Sequence, residues 1–581
     1  MRTLWPLLLL ACTAQAPPEQ AAAPPTAPPP PPLVIKQPEA WSRDIRASEA
    51  AADALDADIA QPLCHALKTE DPPALRGVLA PGARGRWWAA PERVTDDPAV
   101  RVDRFAASEV VLEREALAAA LLENRKQFAV LERCSLKPFR YLLSEPRQEE
   151  GWTRLAFDLA GRDAEGHALT WHADWDAEVV LTADGWRLRA VTGGTLQAVT
   201  VLAAPFQEVA AEVGLGLHRD EAAREAITWQ ADDQRLETMG GVGVIDFNAD
   251  GFPDVLAWNR RRTLQLFLND GRGGFTKRTD LIPPYEVGHQ QLWLDLDGDG
   301  REELVSSELV SCSHDRGRFP IFQRVDGSPT AALKRAGSLE FHLACVDPSR
   351  ALYQHIAASD VNHDGRIDLL VSGFGNHLSR RGAFNHFDGQ NGERNLLFIN
   401  QGGLQFKEEG VARGLRGTRF SYVSAFFDLE GDGDDDLYVA NDFGPNELYT
   451  NDGQGFFAAV TQGPMVENGQ SMGLTVGDFD GDLKLDLYVS NMYSKAGQRI
   501  VPLAEGRLKP ETYHALAGLA AGNALYTQSA EGFASKAQDL RIAKAGWAWG
   551  QALFDVDNDG DRDLFVVNGM TSHSTIKEKD F

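Results

Sequence analysis

One short stretch decides the fold: Asp555-Val-Asp557-Asn-Asp559-Gly560-Asp-Arg-Asp563. It places oxygen-bearing side chains at positions 1, 3, 5 and 9 of the run and glycine at position 6. Five earlier runs repeat this spacing, and only the fifth replaces the glycine, with Leu483. Their oxygen-bearing residues are Asp246, Asn248, Asp250 and Asp254; Asp295, Asp297, Asp299 and Glu303; Asp360, Asn362, Asp364 and Asp368; Asp428, Glu430, Asp432 and Asp436; and Asp478, Asp480, Asp482 and Asp486. We number the runs loop 1 to loop 6 in chain order.

The repeated spacing predicts a chelate for a hard divalent cation. Ca²⁺ takes about six to eight oxygen ligands, and a tight loop can aim positions 1, 3 and 5 at one ion while glycine turns the chain. An EF-hand is excluded because position 12 is never glutamate; it is Ala257, Ser306, Val371, Val439, Val489 and Val566. A short apolar run rich in β-formers follows each loop, so the loops join strands. We expect up to six structural Ca²⁺ ions bound by positions 1, 3, 5 and 9, with loop 5 the weakest geometrically.

Length and charge narrow the function classes. The chain has 581 residues and a net charge of −27, from 84 acidic and 57 basic residues. This balance argues against a general binder of nucleic acid or of anionic membranes. The length suggests one large repeat fold with additional segments rather than a single ordinary core.

The N-terminus predicts an exported, lipid-anchored protein. A brief apolar run after Arg2 ends in Leu9-Leu-Ala11-Cys12, which resembles the bacterial lipobox, with Cys12 as the lipidated residue. Residues 1–12 would be the signal and the Pro/Ala-rich residues 13–40 a tether. The resemblance favours the outer membrane, with the protein facing the periplasm or the cell exterior. An ordinary cleaved signal peptide is the alternative.

Four cysteines remain after Cys12, two in each half of the chain. An even number in an exported protein suggests one disulfide per half, Cys64 with Cys134 and Cys312 with Cys345. Other pairings and free buried thiols stay open.

Residues 41–200 read as a small α+β domain. Helical spacing over Ser48 to Leu67 and Glu109 to Phe128 precedes strand-like alternation from Thr153 to Val191. Helices followed by a bent sheet resemble the NTF2-like cone fold. The aromatic and histidine residues of the segment either line a pocket or form ordinary core; they are Trp87, Trp88, Trp171, His172 and Trp175.

From residue 205 the loops belong to longer units. After each loop strand come a second strand and a Gly-rich turn, as in Leu397-Phe-Ile-Asn400-Gln-Gly-Gly-Leu-Gln-Phe406, so each unit holds about four antiparallel strands. These units resemble the FG-GAP and VCBS repeats of integrin α-type propellers, and the phrasing around Gly546-Trp-Ala-Trp-Gly550 is similar to the cartilage-acidic-protein and ASPIC/UnbV group. The resemblance implies a mainly β chain whose residues 205–581 form a calcium-binding β-propeller of four-stranded blades. The count of loops favours six blades, whereas the integrin resemblance suggests seven, which would need one blade without a loop.

Two further expectations concern the propeller. The segment starting at Phe206 is similar to Phe406–Leu415 and should pair into the last blade, which closes the ring. The spacing of the loops assigns the extra length to insertions at Ser311 to Ala344, Gly375 to Asn395 and Ser494 to Gly522, where binding would sit.

No catalytic constellation emerges, so we expect no enzyme. Gly469-Gln-Ser471-Met-Gly473 matches a nucleophile elbow, but it leads into a strand rather than a helix and reads as structural. His355, His377 and His386 are either scattered surface residues or a second metal or ligand site. The sequence favours an extracytoplasmic module that binds a protein or glycan partner. A propeller-fold lyase or hydrolase, with its site on the insertion face, is the alternative.

Overall fold

The fold was analysed in a computed structural model of the whole chain. It describes residues 44–96, 99–145, 148–203, 209–216, 241–258, 264–278, 290–307, 309–311, 316–324, 333–342, 350–375, 388–467, 469–529, 532–556 and 560–568, with positions 33, 35, 37 and 281. The predicted lipobox and nearly all of the predicted tether lie outside these residues. No helix in the described ranges is both long and apolar enough to cross a membrane.

Helices are few. They are α1 (Ile45–Leu55), α2 (Gln61–Thr69), α3 (Pro72–Gly77), α4 (Arg114–Arg125), α5 (Lys495–Ile500) and α6 (Pro510–Ala521), with a π-helical turn at Asp56–Ala60 and 3₁₀ turns at Pro464–Val466 and Val501–Ala504.

Strands make up about half of the described residues. The N-terminal strands are β1 (Leu79–Arg86), β2 (Trp88–Asp96), β3 (Val100–Ala107), β4 (Leu112–Glu113), β5 (Val130–Leu143), β6 (Glu150–Arg162), β7 (Ala168–Thr182) and β8 (Gly185–Val201). The later strands are β9 (Gly241–Ile245), β10 (Asp254–Trp258), β11 (Leu264–Asn269), β12 (Phe275–Lys277), β13 (Gln291–Leu294), β14 (Glu303–Ser306), β15 (Leu309–Ser311), β16 (Arg316–Arg324), β17 (Leu333–His342), β18 (Arg350–Ser359), β19 (Asp368–Gly373), β20 (Leu396–Gly402), β21 (Gln405–Glu408), β22 (Ser421–Phe427), β23 (Asp436–Asn441), β24 (Glu447–Asn451), β25 (Phe457–Val460), β26 (Ser471–Gly477), β27 (Asp486–Asn491), β28 (Ala524–Ser529), β29 (Gly532–Ser535), β30 (Ala548–Phe554) and β31 (Asp563–Asn568).

The N-terminal domain packs helices on one long sheet. The sheet runs in the order β2-β3-β8-β7-β6-β5, with β1 beside β8 and β4 beside β1. Alternate residues of β7 are buried, as a sheet with one covered face requires. The alternation runs unbroken through Asp176, so β7 is one continuous strand. Cys64 and Cys134 form a disulfide that ties α2 to β5, while Cys312 and Cys345 lie outside the described residues.

Six antiparallel sheets follow, which we call sheets 1 to 6. Sheets 1, 2, 4 and 5 have four strands, sheet 3 has five, and two strands of sheet 6 are described. Sheet 1 is β9–β12, sheet 2 is β13, β14, β16 and β17, sheet 3 is β15 and β18–β21, sheet 4 is β22–β25, sheet 5 is β26–β29 and sheet 6 is β30–β31. The chain is thus mainly β, with repeated four-stranded antiparallel sheets.

Each acidic loop connects two neighbouring antiparallel strands of its sheet, for example β22 and β23 around loop 4. In every sheet we call the strand before the loop the first strand, the strand after it the second and the next one the third, so β15 of sheet 3 is not counted. The second strands are apolar runs without alternation, and in sheets 2 to 5 every residue of that strand is buried. A strand buried on both faces lies between neighbouring layers, so the sheets stack face to face. The first strands of sheets 3 to 6 also contact their neighbours in sequence.

The insertion prediction needs one correction. Ser311 to Ala344 is not simply an insertion, because it supplies β16 and β17, the two outer strands of sheet 2. These strands are longer than their counterparts, which accounts for the wider spacing between loops 2 and 3. Ser494 to Gly522 is a true insertion and forms α5, α6 and the turn between them. Gly375 to Asn395 lies largely outside the described residues.

Residues 204–208, which include Phe206, are also outside the description, so the pairing predicted for that segment is open. The residues that follow form a turn against sheet 1, where the backbone N–H of Phe275 donates to the carbonyl of Val213 at 2.7 Å. The N–H of Phe457 in sheet 4 donates to the carbonyl of Arg413 in the same way, also at 2.7 Å. Gly214 has a positive φ, and a Cβ there would lie 2.2 Å from the Phe275 carbonyl oxygen, so glycine is required for this approach.

Candidate metal-binding loops

The first aspartate of each loop accepts backbone hydrogen bonds that hold the loop in its turn. Its Oδ2 accepts the backbone N–H of position 6 in all six loops, at 2.8 to 3.1 Å. In loops 1 to 4 its Oδ1 accepts the N–H of position 5. In loops 2 and 4 Oδ1 also accepts the N–H of position 4, so both of its lone pairs are used. Oδ2 accepts one bond from position 6 and keeps a second lone pair for a cation.

Two positions of the loop require a left-handed backbone. Position 6 has positive φ in every loop, and in loop 5 Leu483 adopts φ 66° and makes the same bond as glycine does elsewhere. Loop 5 therefore keeps the hydrogen-bond pattern despite its substitution. Position 4 is left-handed as well: it is glycine in loops 2, 4 and 5, but Ala249 (φ 57°) in loop 1 and His363 (φ 56°) in loop 3. This second requirement was not recognised in the sequence.

The ninth position holds the loop against the sheet; its carboxylate is buried in loops 1 to 5, whereas Asp563 of loop 6 is partly exposed. One of its oxygens accepts the N–H of position 2 in all six loops, at 2.9 to 3.2 Å. In loops 1, 3, 4 and 5 the other oxygen accepts the N–H of the residue that ends or lies within the third strand. The side chains of Asp254, Asp368, Asp436 and Asp486 are fully buried.

Burial shapes the electrostatics of this position. It raises the pKa of Asp368 to about 6. It also raises the pKa of Asp436 to about 7, together with a hydrogen bond that the protonated Asp436 carboxyl donates to Glu430. Burial likewise raises the pKa of Asp254, Glu303 and Asp486. Buried carboxylates with several acidic neighbours are costly to ionise unless a positive charge is close.

Carboxylate oxygens converge most closely in two loops. In loop 2, Asp295, Asp297 and Asp299 each place an oxygen within 4.8 Å of the others. In loop 5, Asp478, Asp480 and Asp486 do the same, which brings position 9 to the cluster. Loops 1 and 3 carry an asparagine at position 3, whose nitrogen contacts the position 5 carboxylate. In loop 6, Asp555 and Asp563 are described, whereas Asp557 and Asp559 are not.

Cationic side chains already approach two of the loops. Arg366, at position 7 of loop 3, pairs with Asp364, and Lys484, at the same position of loop 5, lies 3.3 Å from Asp482. These carboxylates thus attract positive charge, and the residues present fit a hard divalent cation.

A repeated geometry links loops 2, 3 and 4 to the sheets that follow them. Asn400, Asn451 and Gln528 occupy the third strands of sheets 3, 4 and 5, next to the buried ninth position of their own loops. Their side-chain amides donate to the position 2 carbonyls of the preceding loops, Leu296, Val361 and Leu429 respectively, each at 2.9 Å. The sequence marked these residues only as part of a turn. The available signal was a recurring Leu-Phe or Leu-Tyr pair, followed by one residue and then the amide side chain.

Other residues singled out in the sequence have structural partners. Ser471 is buried in β26 and donates to Asn491 Oδ1 at 2.7 Å. His355 lies in β18 with its Nδ1 3.4 Å from the backbone nitrogen of Ser424, while His377 and His386 fall outside the described residues.

The aromatic residues of the N-terminal domain form core rather than one open lining. Trp87, Trp171 and Trp175 are buried, and the ring centroids of Trp87 and Trp175 are 4.8 Å apart. Trp88 packs against the same core. His172 points elsewhere, with 54% of its side chain exposed and Nδ1 2.6 Å from Asp158.

The fold and loops define a class of protein: a β-rich repeat protein whose sheets each carry an acidic loop between two strands. The repeats themselves are FG-GAP-like, since residues 246–306 and 428–489 match the model of the FG-GAP-like repeat. Both matches begin at position 1 of a loop and end in or at the second strand of the next sheet. No curated protein matches the chain.

Solved structures give only distant likenesses. LinA is 15% identical over 28% of this chain and 95% of its own, with a TM-score of 0.20. BBS1N, in complex with ARL6DN, is 11% identical over 56% of this chain and 75% of its own, with a TM-score of 0.32. AofleA from Arthrobotrys oligospora is 9% identical over 66% of this chain and 88% of its own, with a TM-score of 0.23. Scores this low carry no argument about fold or function.

Proposed function

We propose that the chain is a calcium-stabilised β-propeller that serves as an extracytoplasmic binding module for a protein or glycan. Sheets 1 to 6 would be its blades and loops 1 to 6 its metal sites. Cys12 would anchor it to a bacterial membrane, with the outer membrane favoured. The anchor and the location rest on the sequence of residues 1–40.

The observation that supports the metal role best is the convergence in loops 2 and 5. Two carboxylates about 4 Å apart repel by roughly 4 kcal/mol at an effective dielectric near 20, so three in one loop need a counter-charge. Ca²⁺ would supply it, held by the side chains of positions 1, 3, 5 and 9. The backbone bonds to positions 1 and 9 would orient these carboxylates before the ion arrives.

Ring closure is supported by the turn at residues 209–214. The equivalent turn after β21 leaves sheet 3 and packs on the last strand of sheet 4, through the bond between Phe457 and Arg413. The turn at Val213 packs on the last strand of sheet 1 by the same bond. In a closed ring the sheet before sheet 1 is sheet 6. The residues just before this turn would therefore belong to sheet 6. This placement would complete the last blade and remove its open edge.

Calcium titration into chelator-treated protein tests the metal role. Calorimetry should detect several ions per chain, and excess chelator should lower the melting temperature by many degrees, with recovery in Ca²⁺ and poor recovery in Mg²⁺. Asp297→Asn with Asp299→Asn should remove one ion. Glu302→Gln changes one exposed charge at position 8 of the same loop and should remove none. A melting curve indifferent to chelator would defeat the proposal.

The binding role needs a separate experiment. Protein purified without residues 1–40 would be applied to a glycan array and used to capture partners from cell-surface extracts, each with Ca²⁺ and with chelator. Calcium-dependent retention of a defined glycan or protein supports the module. Turnover of a polysaccharide in the same samples would instead favour the lyase or hydrolase alternative.

A further inference from the structure

A cavity lies where the N-terminal domain meets the repeat sheets. It has a volume of 220 Å³ and is lined by Arg140 of β5 and Arg154 of β6 on one side. The opposite side comes from the connections that follow β27 and β29: Tyr493, Gln498, Ala521, Gln538 and Lys544. Neither domain builds this site alone, and interfaces between domains are common places for small-ligand sites.

Specific contacts hold the two walls together. Arg499 of α5 donates two hydrogen bonds to Glu49 of α1, both at 2.8 Å, and a third to the carbonyl of Pro138. Leu503 is fully buried against Leu142 and Trp152. The cavity is therefore a feature of a packed interface rather than a surface dent.

The walls carry an excess of positive charge. Arg140, Arg154 and Lys544 face two nearby carboxylates: Asp176, which takes two hydrogen bonds from Arg154, and Asp174, 3.9 Å from Lys544. Three cations against two carboxylates leave one positive charge.

The two guanidinium groups share one aromatic ring. The guanidinium carbons of Arg140 and Arg154 each lie 5.8 Å from the ring centroid of Trp152. Unlike Arg154, Arg140 has a buried Nε without a hydrogen-bond partner in the described part of the chain. Two cations on one ring repel, and an oxyanion between the walls would relieve the repulsion.

The remaining lining is polar and suited to hydroxyl groups. Gln498 and Gln538 each donate to a backbone carbonyl, of Ala520 and Ala521, which orients the carboxamides. Burial raises the pKa of Tyr493 to about 12, so its hydroxyl remains a donor. Ala521 is the one apolar side chain among the described lining residues.

We propose that this interdomain cavity binds a small polyhydroxylated oxyanion of monosaccharide size, either a hexuronate or a hexose phosphate. Arg140 and Lys544 bind the anionic group from opposite walls, and the glutamine and tyrosine side chains bind hydroxyls. The two sources share the oxyanion chemistry that guanidinium groups recognise in carboxylates and phosphates. The site is separate from the acidic loops and does not depend on their metal content.

Calorimetry on the folded two-domain protein tests the proposal, with glucuronate, glucose 6-phosphate and glucose as probes at one Ca²⁺ concentration. Binding of at least one of the two anions, with none of glucose, is expected. Preference for one anion identifies the source as carboxylate or phosphate. Failure of both anions to bind, or equal binding of glucose, overturns the proposal.

Variants on each wall locate the binding. Arg140→Gln and Lys544→Gln should each weaken the bound anion by about tenfold or more, since each removes a charged donor. Arg133→Gln, on the same strand as Arg140, and Lys536→Gln, in the same connection as Lys544, change exposed charges outside the cavity and should bind like the unmodified protein. Lys544 is partly exposed, so its variant should fold even if Arg140→Gln does not. Unchanged affinity in Lys544→Gln would overturn the proposal.

Discussion

Asn451 donates its side-chain amide to the carbonyl of Val361 at 2.9 Å, and so joins the third strand of sheet 4 to loop 3 of the preceding sheet. Its backbone N–H donates to Asp436, the buried ninth residue of its own loop. One residue thus contacts two candidate metal loops. Asn400 and Gln528 repeat the arrangement one sheet before and one sheet after. Metal binding in one loop should therefore be coupled to its neighbours through these amides.

Replacing Asn451 with alanine tests this link. Asn451 is buried and also donates to the carbonyl of Asp435, so Asn451→Ala leaves two carbonyls without that donor. A buried group that loses its partner costs about 1 to 3 kcal/mol, so the free energy of unfolding should fall by roughly 2 to 4 kcal/mol. Urea denaturation in Ca²⁺ measures it. The control is Gln454→Ala, which truncates an exposed side chain three residues away. Equal losses in both variants would show the link to be unimportant.

Leu483 is the residue of loop 5 under backbone strain. It is 92% exposed and left-handed, so its side chain contributes little burial while its backbone is held at φ 66°. A left-handed non-glycine residue costs about 1 to 2 kcal/mol, of which the greater freedom of glycine in the unfolded chain offsets about half. Leu483→Gly should raise the free energy of unfolding by about 0.5 kcal/mol and keep the calcium stoichiometry. Leu485→Gly, two residues on and not left-handed, should lower it. The idea fails if the two substitutions shift stability in the same direction.

The pair formed by Arg499 and Glu49 should stabilise the docking of the two domains. The Arg499 side chain is only 14% exposed and meets the carboxylate with two parallel bonds, a geometry stronger than that of a typical surface pair. A double-mutant cycle with Arg499→Gln and Glu49→Gln should give a coupling free energy of about 1 to 2 kcal/mol. The same cycle on Lys126 and Glu123, both well exposed, should give less than about 0.5 kcal/mol. Comparable coupling for the two pairs would contradict a docking role.

Much of the repeat architecture follows from local chemistry that the sequence displays. The Asp-x-Asp spacing, the apolar run behind it and the Gly-rich turn all act within one unit, which is why the four-stranded sheets were predictable. The left-handed position 4 was missed because alanine and histidine occupy it in loops 1 and 3, and neither residue signals positive φ.

Features that depend on contacts between distant segments were not predictable. Nothing local to Arg499 indicates that its partner lies 450 residues earlier. Similarly, β16 and β17 look like an insertion because their unit is longer than the others, although they pair as ordinary outer strands. The six candidate loops could be predicted from the sequence. The amide contacts between loops and neighbouring sheets depend on how the sheets stack, so they could be recognised only in the structure.

His355 should make the fold sensitive to mild acid. Burial between sheets 3 and 4 lowers its pKa to about 4, against an ordinary value near 6.5. Between these values the folded protein keeps the ring neutral while the unfolded chain takes up a proton, so stability is lost as the pH falls below 6.5. The slope should approach, without reaching, about 1.4 kcal/mol per pH unit, because between the two pKa values both the folded and the unfolded state are partly protonated.

The matched experiment compares His355→Gln with His514→Gln, in which the replaced ring is exposed on α6. Free energies of unfolding would be measured from pH 7 to pH 5 at one saturating Ca²⁺ concentration. Carboxylates contribute their own pH dependence equally to all three proteins, so the difference between curves isolates each histidine. His355→Gln should be less stable than the unmodified protein at pH 7, through the lost contact with Ser424, and should converge with it toward pH 5. His514→Gln should run parallel to the unmodified protein throughout. If the His355→Gln curve also runs parallel, burial of the neutral ring is not a source of acid sensitivity.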